Sequence, residues 1–382
     1  MVEASKVPEK PIEPSSLRID ANLDKSKKAA SILHSCLGDL IGKLRSGKKC
    51  IYDLCKETDA AVVEQLSGHY MKLNKGVAFP TCISQGKLVA NFNPLSAEKS
   101  HDIEEGKAIK IELGVHVDSF PVFITHTLWL GSTATIPKPL IALHYIRHMA
   151  NALFRQGKTS ADLIHHCNAI ASSFGCQILS NVECYNISKN LDLHQLKLWS
   201  LNPTSETRKA SMNVAFEVGD YYSFEVILTE TTTDPSASSD PSGNASSKGS
   251  APILVPDNNY DEAVFRLNSF YHDMKLKQEK LVYGELKKQY GKNYFTTRDL
   301  FSDSRSKFGW QALKKQIEIL PVYKSSDGNE AFSMRQCILV RAKAPLFLSG
   351  LQPDLIKDEH IDINKIPEES REALLAGWIP KS

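Results

Sequence analysis

No uninterrupted apolar run in the 382 residues approaches the roughly 18 that a membrane span requires. The first residues, MVEASKVPEKPIEPSS, are polar and proline-rich, without the apolar centre of a secretory leader. No CxxC pair and no Cys/His spacing of zinc type occurs among the eight cysteines, which sit scattered through apolar segments. Nor is there an excess of either charge: 46 Lys and Arg stand against 44 Asp and Glu, a net charge of +2, so composition names no acidic or basic partner. These absences argue against a membrane-spanning protein, a secreted disulfide scaffold and a zinc finger, and the chain is expected to be soluble and intracellular with reduced thiols. What is present is hydrophobic material, 42% of residues, enough for one large domain or two ordinary ones.

Residues 1–19 carry no apolar periodicity and are expected as a flexible arm. Over 22–45, Ile32, Leu33, Cys36, Leu37, Leu40, Ile41 and Leu44 recur at helical spacing, with Gly47 placed to stop the helix. Further helices are expected over 51–71, 137–155 and 159–174, the last opened by Thr159 and Asp162 as a capping pair. Extended segments are expected at 177–187, 192–201 and 221–229, so helices and strands come in two similar blocks rather than in strict alternation. Residues 230–256, rich in Ser, Thr, Asp and Pro, are expected as a disordered loop, since they offer too little apolar surface to offset the entropy of ordering. A helical, basic insertion follows at 258–323, then a strand at 331–342; 20–356 form the main domain and 357–382 a tail with a short helix near 368–375.

The stretch 76–130 is the most informative. Over 108–129, apolar and β-branched residues alternate with others on both sides of a turn near Asp118 and Ser119, the pattern of a hairpin. Period two puts Ile109, Ile111, Leu113, Val115 and Val117 on one face and Lys110, Glu112, Gly114 and His116 on the other. A carboxylate at Glu112 in so apolar a strand needs a partner, a metal or water, because desolvating it alone is costly. His116 shares its face but lies about 13 Å away along the strand.

The phrases AFPTCIS, VANFNP and IKIELGVHVDSF, followed by THT at 125–127, resemble the type 2 methionine aminopeptidases, and more closely their proliferation-associated branch, the ErbB-receptor-binding proteins. Order and spacing of later segments agree from about residue 18 to 356. The resemblance implies an α+β pita-bread fold: two pseudo-symmetric halves around a curved antiparallel sheet, with a helical insertion. Active relatives hold two divalent metals with two Asp, one His and two Glu. Carried over motif by motif, those positions fall on Glu112, Phe123, Tyr185, Glu225 and Met334, and the substrate-facing His falls on Asn91. Phe cannot ligate and a Met thioether is soft, so the resemblance implies a pseudoenzyme without a metal or other cofactor. Glu112 and Glu225 also read simply as a buried acid pair satisfied by Lys, Tyr or water.

Relatives of this branch bind structured RNA and the large ribosomal subunit, which makes the insertion the candidate face. Its basic residues are Lys275, Lys277, Lys280, Lys287, Lys288, Lys292, Arg298, Arg305, Lys307, Lys314 and Lys315. Charge alone fits a solvated helical face as well. The expectation is therefore a non-catalytic homologue that binds RNA or ribosomes, in the cytoplasm and also the nucleus, with protein partners but no membrane. The chain closes on AGWIPKS where those relatives carry a Lys-rich tail, so nucleolar targeting does not carry over. Two alternatives stay open: a metal-dependent aminopeptidase with an altered site, and a protein-interaction adaptor using the apolar pocket.

Overall fold

The computed structural model describes residues 16–132, 136–189, 197–203, 213–231, 251–267, 274–298, 300, 304–350, 356 and 360–377. Helices α1 (Asp20–Arg45) and α2 (Ile51–Ser67) lead, followed by β1 (Lys75–Gln85), β2 (Leu88–Ala90) and the hairpin of β3 (Ala108–Val117) and β4 (Phe120–Trp129). Asp118 and Ser119 both take left-handed backbone, φ 52° and 60°, which lets a two-residue turn match the twist of the strands it joins. The expected β3 alternation is present: Ile109, Ile111, Leu113, Val115 and Val117 share a core with Leu33 and Leu37 of α1 and Leu54 of α2.

A second block repeats the plan. Helices α3 (Lys138–Leu153) and α4 (Ser160–Ser173), the latter opened by a Thr159–Asp162 capping box, precede β5 (Cys176–Ile178), β6 (Cys184–Asn186), β7 (Leu198–Trp199) and β8 (Tyr221–Glu230). Ile146 and Met149 of α3 and Ile170 of α4 close over Phe224, Val226 and Leu228 of β8.

The insertion comes next, as β9 (Leu254–Pro256), β10 (Val264–Arg266), α5 (Lys277–Tyr290), β11 (Tyr294–Thr296), α6 (Ser304–Leu313), β12 (Glu318–Leu320) and β13 (Tyr323–Ser325). Its strands build two small sheets, β11-β10-β12 and β2-β13-β9. Phe265, Val282, Leu286, Phe295, Trp310 and Leu313 give it a core of its own. Helices α5 and α6 cross at Gly309, where a Cβ would stand 2.6 Å from the Gln278 carbonyl oxygen. The region expected as helical thus contains strands of three residues each, too short for period two to register.

Strand β14 (Ala331–Leu339) then enters between β4 and β8, completing the antiparallel order β1-β3-β4-β14-β8-β6-β7, with β15 (Leu346–Phe347) on β14 and β5 on β8. Pairing of β14 with β8 runs its full length, whereas β14 meets β4 in a single register, Arg335 with Thr125. Side chains stitch the rest of that seam: the Thr127 hydroxyl donates to Ser333 O at 2.7 Å, and Phe123 N–H donates to Cys337 Sγ at 3.2 Å.

Boundaries differ from expectation in three places. Residues 1–15 and 232–250 lie outside the described residues, but 16–19 are held, with Leu17 buried and Asn22 Nδ2 donating to Ser16 O at 3.1 Å. The end of the expected loop is also fixed, since β9 pairs with β13 and Ser180 N–H donates to Pro252 O at 2.8 Å. In the expected tail, α7 (Glu368–Gly377) packs on α3; Ile366 and Leu374 are buried, and His166 Nδ1 lies 2.9 Å from Ser370 Oγ. Single apolar anchors in polar segments do this, and average composition hides them.

Candidate functional site

Antiparallel register brings residues from distant parts of the sequence onto shared rungs. One rung runs Cys82, Glu112, Thr125, Arg335 and Glu225 across β1, β3, β4, β14 and β8. Two residues along, Gly114 faces Phe123, while Ser223 pairs with Cys337 on one side and Tyr185 on the other. Paired residues share a face, as do residues i and i+2, so Glu112, Phe123, Arg335, Glu225 and Tyr185 converge on one side of the sheet. There a cavity of about 390 Å³ opens, with Asn91, Glu112, Tyr185, Glu225 and Arg335 in its walls. Tyr294, Leu320 and Tyr323 of the insertion close over it.

Arg335 is the centre of this group. Its Nε donates to Ser223 Oγ at 2.7 Å and its Nη2 to the Tyr185 hydroxyl, and its guanidinium carbon lies 4.4 Å from the Phe123 ring centre. Burial raises the Tyr185 phenol well above its ordinary range, against the pull of Arg335. The flat Phe123 ring finds room because of Gly114, whose Cβ, if present, would lie 2.7 Å from Phe123 Cδ1 and 2.9 Å from Phe79 N.

The two acids flank this cation. Glu112 accepts one backbone bond, Asn91 N–H to Oε2 at 2.6 Å. Burial, reinforced by Glu225, pushes it up to about 8 despite that bond and Arg335. Glu225 is likewise raised by burial, with Arg335 opposing. Asn91 turns its amide to Glu112 by adopting φ 67°, a left-handed conformation Asn tolerates, and its side chain donates to Pro321 O at 2.9 Å. Position 91 therefore ties the cavity wall to the insertion. His116 is buried with Nδ1 unpartnered, and burial lowers it to about 4, so it is neutral and contributes no cation here.

Of the five positions carried over from the resemblance, Glu112, Phe123, Tyr185 and Glu225 lie together on the cavity side of the sheet, and Met334 lies on the other. Met334 pairs with Val226, and both sit in the core beneath α3 and α4. Arg335 occupies the cavity side instead. The signal was in the strand: Phe332, Met334 and Ile338 share the apolar parity of AFSMRQCI, which leaves Ser333 and Arg335 to the other face. Two divalent ions need a set of oxygen and nitrogen donors around them. The residues here do not fit: a guanidinium stands between Glu112 and Glu225 beside a phenol and a phenyl ring, Glu183 lies at the exposed rim, and among the described residues no group of three or more His, Cys, Asp or Glu could hold a metal ion.

The basic residues of the insertion divide. On α5, Lys277, Lys280, Lys287 and Lys288 are exposed along one side, opposite the buried Glu279, Val282 and Leu286, and the exposed Leu281 lies among them. Lys275, Arg305, Lys307 and Lys315 are exposed nearby in sequence, and Lys292 is half-buried. Arg298 is not a surface cation: it is buried, Nη1 lies 3.6 Å from Asp59 Oδ2, and Nη2 donates to Asn93 Oδ1. Lys314 is engaged too, 2.8 Å from Glu262 and over the Phe265 ring. Both point back toward the main domain or the insertion's own core, which a count of charges along the sequence does not reveal.

Two helix-backed halves joined at β4 and β14, with a cavity on rungs that both share, make this a pita-bread fold. The solved structure of a thermophilic Arx1 has the same fold, with a TM-score of 0.74 and 21% identity over 92% of this chain and 97% of that one. Homologues carry the names ERBB-3 binding protein 1 in Solanum tuberosum, 26% identical over 293 residues (75% of this chain and 69% of that protein), and Curved DNA-binding protein in Schizosaccharomyces pombe, 23% identical over 355 residues (90% and 88%). A 97-residue stretch is 35% identical to the Probable metalloprotease ARX1 of Candida albicans, 25% of this chain and 17% of that protein. No family model matches the chain.

Proposed function

We propose that this protein is a non-catalytic member of its fold class that binds structured RNA, on the large ribosomal subunit or free, through the basic side of α5. The observation carrying this is the exposed line of Lys277, Lys280, Lys287 and Lys288 on a rigid, separately packed helix. Phosphates are recognised by such point charges without a sequence motif, and shape complementarity supplies the selectivity. One homologue's name, Curved DNA-binding protein, also denotes nucleic acid. Arg335 supports the non-catalytic reading: a fixed cation beside Glu112 and Glu225 repels the divalent ions that would generate a nucleophile. Residence in the cytoplasm and nucleus is part of the same proposal.

Co-sedimentation with purified large ribosomal subunits tests it. Binding at low salt that is released as salt rises supports the proposal, and replacing the four α5 lysines by alanine should shallow the salt dependence by roughly one phosphate contact per residue lost. Binding that ignores salt, or none at all, rejects it. The second reading, a metallopeptidase, is favoured by the metalloprotease name of one relative and by the retained Glu112 and Glu225. Two equivalents of tightly held metal together with peptidase turnover would establish that reading instead.

A further inference from the structure

The seam between β4 and β14 holds a second, smaller cavity, on the side of the sheet that carries α3. Its volume is about 20 Å³, and its walls include Thr125, Thr127, Arg147, Ser333 and Gln336. Buried polar atoms normally find partners. Here Thr125 Oγ1, Arg147 Nη1, Ser333 Oγ, and both Nε2 and Oε1 of Gln336 have none. Gln336 is fully buried, and its amide is pressed against Gly350, where a Cβ would stand 2.4 Å from Nε2, so it has no room to swing out.

On the α3 side the unpartnered groups are the Arg147 guanidinium and the Gln336 amide, because Thr125 and Ser333 share the parity of Arg335 and turn their hydroxyls to the other face. The charge is one-sided. Among the described residues no carboxylate pairs with Arg147, and burial lowers its guanidinium. Facing it are His34 from α1 and His144 and His148 from α3, each lowered by burial and by Arg147 itself rather than supplying a negative partner. Arg147 is half-buried with Nη1 enclosed and unpartnered, and an anion beside that atom offsets its partial desolvation. Water would satisfy individual hydrogen bonds but not the charge. Size limits the choice, because one water-sized occupant needs about 10–15 Å³ by this measure, which leaves no room for a phosphate or sulfate.

We propose that the seam cavity is a binding site for one monovalent anion of chloride size, held by the Arg147 guanidinium and the Gln336 amide. The anion joins α3 to β14 beside the seam where the backbone ladder between β4 and β14 is reduced to one register.

Crystals of the full chain grown or soaked in sodium bromide provide the direct test. An anomalous bromine peak between Arg147 and Gln336 is expected; density there without anomalous signal means water only and overturns the proposal. In parallel, thermal unfolding of the wild-type chain in sodium chloride and sodium gluconate at equal ionic strength should separate, with the midpoint rising and saturating with chloride alone. Superimposable curves overturn it. Arg147→Met should abolish the difference, and Gln336→Leu should weaken apparent chloride affinity at least tenfold while circular dichroism stays native. Should either variant fail to fold, the two wild-type measurements decide.

Discussion

The cavity floor and the α5 ridge both carry positive charge, and they hold it in opposite ways. Arg335 is fixed by Ser223, Tyr185 and the Phe123 ring, so its charge is immobile and serves the fold. Lys277, Lys280, Lys287 and Lys288 project from a helix whose other side is packed, and solvent screens them until a partner arrives. Burial, rather than the number of charges, thus separates a structural cation from an available one. Arg298 and Lys287, eleven positions apart in one basic insertion, fall on different sides of that divide.

Substitutions can break this contrast, and the largest effect is expected at the floor. Arg335→Met leaves Tyr185, Ser223 and two acids without their cation and should cost roughly 3–5 kcal/mol in urea unfolding. A change under 1 kcal/mol would mean that the floor holds its charge as loosely as the ridge. Gly114→Ala forces a methyl into Phe123 and Phe79 and should cost about 1–3 kcal/mol, partly recovered when Phe123→Leu is added, because neighbouring sites are not additive.

Glu112 sharpens the contrast through pH. Folded, it keeps its proton up to about pH 8, whereas its ordinary value is 4.5. Folding therefore takes up a proton in that window, and the stability contribution falls as pH rises through it. Glu112→Gln should flatten the decline and stabilise the chain by roughly 1–3 kcal/mol at pH 8, with little gain at pH 4. Unchanged pH dependence in the variant would show that Glu112 ionises freely. Smallest of all, Lys280→Ala and Lys287→Ala should move stability by less than about 0.5 kcal/mol while reducing the salt dependence of RNA binding.

Much of the fold was legible because its signals are local. The Asp118–Ser119 turn, the capping box at Thr159 and the helical stripe of α1 depend on neighbours within a few residues. Glu112 was legible for the same reason, as an acid in an apolar strand. Arg335 was missed although the alternation around it was visible, because assigning the cavity side requires knowing which parity faces α3 and α4. Arg298 could not be placed, since Asp59 and Asn93 are remote in sequence and only folding brings them to it. The three-residue strands of the insertion take their conformation from partners, not from pattern.

The position of β14 also matters for how the chain is made. It is the middle strand of the large sheet, yet it is synthesised after every other strand of that sheet except β15. Until Ala331–Leu339 has emerged, β4 and β8 each present an open edge, the kind of surface that invites pairing with a foreign strand. Between the completion of β8 at Glu230 and the arrival of β14 at Ala331, the emerging polypeptide therefore carries two half-sheets waiting for a shared centre. A nascent chain arrested before residue 331 should be far more prone to aggregate than one arrested after 350.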